Sequence, residues 1–89
     1  MQHDSALRKF SAIVEGEEAY LRYYPAGEGV LEYASTFVPE RLRGRGIASV
    51  VVRQALEYAR EGGYQVIPSC WFVRGYIQRH AEYAPLVAN

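Results

Sequence analysis

Apolar positions in the first part of the chain gather into short runs with turn residues between them. KFSAIV (9–14) closes on Glu15-Gly16-Glu17, and AYLRYY (19–24) closes on Pro25-Ala26-Gly27. β-Branched and aromatic residues suit strands, and glycine and proline suit the turns, so the two runs predict a hairpin. The next run, VLEYASTFV (30–38), alternates. Leu31, Tyr33, Ser35 and Phe37 fall on one face, and Val30, Glu32, Ala34, Thr36 and Val38 on the other. It predicts a third antiparallel strand, stopped by Pro39.

From Ile47 the period lengthens to that of a helix. Ile47, Val50, Val51, Ala55 and Tyr58 share one face, while Ser49, Arg53, Glu57, Arg60 and Glu61 share the other, and Gly62-Gly63 supplies a stop. YQVIPS (64–69) predicts a short fourth strand, and CWFVRGYIQRH (70–80) a second helix with Ser69 as its N-cap, weakened by Gly75. The order β-β-β-α-β-α places the chain in the α/β class. A mostly antiparallel four-stranded sheet is expected, with strands three and four parallel through a right-handed crossover. A ligand crevice then belongs at the carboxyl ends of those two strands, beside Arg41 to Ala48 and beside Cys70.

Composition narrows the picture. The 89 residues leave room for one domain (1–89), and 49% hydrophobic and 13% aromatic content support a packed core. Net charge is zero, which argues against bulk attraction to nucleic acid or to an anionic membrane. A single cysteine, Cys70, excludes an internal disulfide, and with only two distant histidines no zinc site is expected. MQHDSALRKF lacks the apolar centre of a signal peptide and no run is long enough to span a bilayer, so the expected location is the cytoplasm.

The stretch RLRGRGIA (41–48) follows the third strand and opens the helix. The first turn of a helix leaves backbone N–H groups unpaired, and Gly44 and Gly46 would let a phosphate approach them. Arg43 and Arg45 would add charge-assisted contacts. The plainer reading is a glycine-shaped turn with solvated arginines. No G-x-G-x-x-G or G-K-[ST] pattern occurs, so neither a Rossmann nor a Walker site fits.

In VPERLRGRGIA, Arg43, Gly46 and Ala48 match R-x-x-G-x-[GA]. With ASVVVRQALEYAR, VIPSC and YIQRHAEY, this resembles the GNAT superfamily of acetyl-CoA-dependent N-acetyltransferases, and within it the small single-domain YjdJ-like branch. The resemblance covers residues 30–85 best. It departs at Ala81, where relatives commonly carry proline, and at Trp71-Phe72, where a less bulky helix start is usual. It implies a minimal GNAT-like fold and acetyl-CoA or coenzyme A as the bound cofactor. By the same resemblance, main-chain groups of Val38 and Pro39 line the pantetheine arm, and Arg43, Gly44, Arg45, Gly46, Ile47 and Ala48 hold the pyrophosphate.

Acetyl transfer needs a neutral amine and a route for protons. Cys70 is the first candidate for the acyl end, because it follows the fourth strand at a helix start whose dipole favours an anion. The competing reading is a small buried hydrophobe. Tyr76 is the second candidate, since the resemblance puts a general-acid tyrosine on this helix, although with eight tyrosines a packing role competes. Trp71 reads as an anchor or a stacking surface. His80 and Tyr83 read as ties for the C-terminal segment, and Arg53, Glu57 and Arg60 as a solvated face.

The leading expectation is an acetyl-CoA-dependent N-acetyltransferase, monomeric or weakly dimeric. Its open site would admit a protein or peptide amine. The alternative is a non-catalytic CoA-binding module that works with a partner. A third reading, single-stranded RNA stacked on Tyr20, Tyr24 and Tyr33, is disfavoured by the absence of net charge.

Overall fold

The structure, a computed structural model, describes residues 2–88. The three strands expected before the crossover helix are present, the first two being β2 (Lys9–Val14) and β3 (Glu17–Pro25), joined by a tight turn. β4 (Val30–Phe37) follows, then a 3-10 turn (Glu40–Leu42), α1 (Ile47–Gly62), β5 (Gln65–Ile67), α2 (Trp71–Arg79) and a closing 3-10 segment (Ala81–Leu86). The sheet has five strands rather than four. An additional strand, β1 (Gln2–Asp4), pairs antiparallel with β2, and the spatial order is β1-β2-β3-β4-β5. β4 and β5 are parallel; the other pairs are antiparallel.

β1 reads only as polar sequence, and its third dimension explains it. His3 stacks on Phe10 with ring centroids 4.2 Å apart, and its Nε2 shares a 2.5 Å hydrogen bond with the Tyr23 hydroxyl. Burial holds the His3 imidazole below its ordinary pKa, which keeps it neutral in that aromatic setting.

Two expectations about faces are corrected. In β4, Tyr23 pairs with Tyr33 while Arg22 pairs with Ser35, so Ala34 is an extra residue, a β-bulge. The bulge exchanges the faces beyond it. Leu31 and Tyr33 are buried under the helices, but Phe37 emerges on the opposite face against Tyr20, 44% exposed, and Thr36 turns to the helix side. In α1 the buried stripe is Val51, Val52, Ala55, Leu56 and Ala59, with Val50 exposed. Three consecutive valines give the periodicity nothing to discriminate, and the observed stripe takes Val51 and Val52 rather than Val50 and Val51.

The core lies between this stripe and Phe10, Leu21, Tyr33 and Val66, all fully buried. Gly63, at φ 74°, ends α1 with its N–H on the Ala59 and Arg60 carbonyls. No described helix is long and apolar enough to cross a membrane.

Candidate functional site

β5 ends at Ile67 opposite Glu32, whereas β4 runs on to Phe37. Pro68 lacks an N–H and cannot extend the ladder, so the chain leaves the sheet and starts α2. An open cleft of about 530 Å³ forms where the strands part. Its walls are Thr36, Phe37 and Val38 from β4 and its end, Leu42 to Gly44 and Gly46 to Ser49 from the loop and α1, and Cys70 to Phe72 from α2.

The loop is built for close backbone approach. Gly44 and Gly46 have φ of 84° and 75°, a region costly for other residues, and a side chain added at either would meet nothing within 4 Å. Gly46 caps α1 with no side-chain hydrogen bond, and the first turn carries no acidic residue. Helix geometry leaves the Ile47, Ala48 and Ser49 N–H groups outside the intrahelical ladder. Such a cradle fits a phosphate-bearing group.

The arginines divide. Arg43 lines the cleft, and its Nε donates to the Val38 carbonyl at 3.0 Å. Arg45 does not line it; its guanidinium is ion-paired with Glu15. Arg41 bonds Glu15 at 2.7 Å and Glu17 at 2.6 Å. Pro39 also stays outside the cleft wall, its carbonyl accepting from the Leu42 N–H at 2.9 Å.

Cys70 is the N-cap residue of α2, a place the sequence assigns to Ser69. The Ser69 hydroxyl instead donates to Glu32 Oε2 at 2.6 Å. Cys70 is 8% exposed, and its Sγ lies 3.5 Å from Thr36 Oγ1. Its N–H reaches the Tyr33 carbonyl at 3.1 Å, which fixes the start of α2 against β4. Thr36 was invisible as a site residue because only the bulge turns it inward. Phe37, Trp71 and Phe72 line the same end, and Trp71 is 75% exposed.

Tyr76 is not among the cleft residues. It is buried on α2, stacked on His80 at 4.0 Å, and its carbonyl bonds His80 Nδ1 at 2.9 Å. His80 and Tyr83 do tie down the C-terminal segment. The Tyr83 hydroxyl donates to Glu57 Oε2 at 2.5 Å, so Glu57 belongs to that tie rather than to a purely solvated face. Burial and the Glu57 carboxylate push the Tyr83 phenol up to about 12. Of the three tyrosines considered for base stacking, Tyr33 lies wholly in the core, where its hydroxyl donates to the Ala55 carbonyl at 2.5 Å.

The model of a family described as GCN5-related N-acetyl-transferase matches residues 9–86. Protein NATD1 of Mus musculus is 30% identical over 82 residues, covering 90% of this chain and 74% of its own. Protein NATD1 of Homo sapiens is 29% identical over 82 residues, with 90% and 73% covered, and that of Danio rerio 29% over 87 residues, with 93% and 79% covered.

Proposed function

Since the chain belongs to the GCN5-related N-acetyltransferase family, we propose that it transfers an acetyl group from acetyl-CoA to an amine, with the cleft between β4 and α2 as the site. The observation that carries this reading is the meeting of the glycine loop, through Gly44 and Gly46 to Ala48, with Cys70 along one cleft. Bound acetyl-CoA supplies an acyl group activated as a thioester. The N–H groups of the first turn of α1 and the Arg43 guanidinium would hold its diphosphate. Main-chain groups of Val38, just past the end of β4, would guide the pantetheine arm.

At the acyl end, Cys70 and Thr36 are the groups within reach of proton exchange, 3.5 Å apart. We assign Cys70 the reactive role there and Thr36 that of its hydrogen-bond partner. Tyr76, held in the α2 packing, is given an anchoring role in this reading. The cleft is open, and Trp71 in its lining is largely exposed, which suits an acceptor presented on a peptide or protein.

A panel of amines incubated with acetyl-CoA, read by free thiol release and by intact mass, tests the proposal. Acetylated acceptor supports it. Binding of CoA with no transfer to any amine, and no acetyl group on the protein, would favour the non-catalytic CoA-binding module instead.

A further inference from the structure

The turn between β2 and β3 carries an unusual residue. Val14 pairs with Glu17 across it, leaving Glu15 and Gly16 as a two-residue loop with φ of 52° and 79°. Two positive φ values match a type I′ turn, in which Asn-Gly or Asp-Gly is the comfortable choice. A glutamate in the left-handed region is disfavoured, and its side chain shows what the position does. Glu15 Oε1 accepts from Arg41 Nη1 at 2.7 Å, Glu15 Oε2 is paired with Arg45, and the Glu15 carbonyl accepts from Arg41 Nη2 at 3.3 Å. Arg45, and then Arg41, hold the Glu15 carboxyl below its usual range, so it is charged at neutral pH.

Arg45 sits between Gly44 and Gly46, both of which line the cleft, yet its guanidinium is drawn away to the hairpin. Its side chain is 49% exposed and that of Glu15 46% exposed. Exposed pairs of this kind are weak and screened by salt, so a diphosphate seated on the neighbouring backbone amides is a stronger partner than one carboxylate.

We propose that Glu15 is a positioning residue that stores the Arg45 guanidinium at the hairpin tip, and that a phosphate-bearing ligand entering the cleft takes Arg45 from it. The inference rests on the cleft being the CoA site and adds a competition built into the apo protein. Glu15 then lowers affinity for phosphate-bearing ligands in particular, through Arg45, and leaves the remainder of the cleft unaffected.

The test is titration of the full chain and of Glu15→Gln and Glu15→Asn with CoA, and with pantetheine as a probe that lacks the phosphates. Asparagine suits the turn, so that variant keeps the hairpin while removing the carboxylate. Both variants should bind CoA about three- to fivefold more tightly at low ionic strength, the gain expected from freeing Arg45 from its exposed pair, while Arg41, also released from Glu15, stays paired with Glu17. The gain should shrink in 0.5 M salt, where the Debye length falls to about 4 Å. Pantetheine affinity should not change. Weaker or unchanged CoA binding by both variants, with the parent binding CoA normally, would overturn the inference and make Glu15 a plain anchor of the loop. Failure of the parent to bind CoA would overturn the reading of the cleft itself, and the inference with it.

Discussion

At the scale of single residues, the loop works through backbone. Gly46 occupies a left-handed conformation at the start of α1, and the space above it is empty. A β-branched residue there meets a backbone penalty of about 1–3 kcal/mol and places methyl groups where a phosphate must come. Arg45 is turned toward Glu15 and contributes only part of the local charge. Gly46→Val should therefore weaken CoA binding at least about tenfold, and Arg45→Ala less, when both folded variants are titrated side by side. The reverse order would mean that side-chain charge, not backbone amides, dominates.

At the scale of elements, β4 is the hinge of the whole arrangement. Before the bulge, Tyr33 ties it to α1 through Ala55; after the bulge, Thr36 turns to Cys70. Tyr33→Phe removes a buried hydrogen bond and should cost about 1 kcal/mol, read by denaturant unfolding with unchanged slope. A neutral outcome would show that helix and strand are held by packing alone. The three long strands, the crossover and the glycine loop were legible in the sequence because turn residues bracket them and periodicity changes at Ile47. The bulge was not, since a strand with one extra residue still alternates on paper. β1 was not, because QHD owes its strand to a tertiary stack on Phe10. The diversion of Arg45 to Glu15 joins residues 30 apart in sequence and leaves no local signal. Of the cleft lining, Cys70 and the glycines stand out in the sequence as candidates, whereas Thr36 and the aromatic residues Phe37, Trp71 and Phe72 need the fold.

At the scale of the whole molecule, the half-buried His3 and the buried Tyr83 give stability opposite pH dependences. The His3 imidazole has its pKa depressed on folding, so its contribution to stability is full above about 6.5 and falls as pH drops through the folded value. The melting temperature should fall between pH 7.5 and pH 5, and His3→Phe should flatten that decline. The Tyr83 phenol is raised from 10.0 to about 12, so its contribution is full below 10 and is lost as pH climbs through about 12. Tyr23 and Tyr33 are also raised, by burial first, so Tyr83→Phe should reduce the alkaline loss without abolishing it. Ligand acts on the molecule as a whole too. CoA at a hundredfold excess over its dissociation constant should stabilise the fold by about 2.7 kcal/mol, visible as a thermal shift.

The most direct measurement is the rate at which iodoacetamide alkylates Cys70 in the folded protein, with and without CoA. Cys70 lines the same cleft as Gly44 and Gly46 to Ala48, so a ligand on the loop should cover the thiol. The expected result is alkylation of the native protein that CoA slows in proportion to site occupancy. A thiol that reacts equally fast at saturating CoA, or that reacts only once the chain unfolds, would contradict the placement of Cys70 at the acyl end.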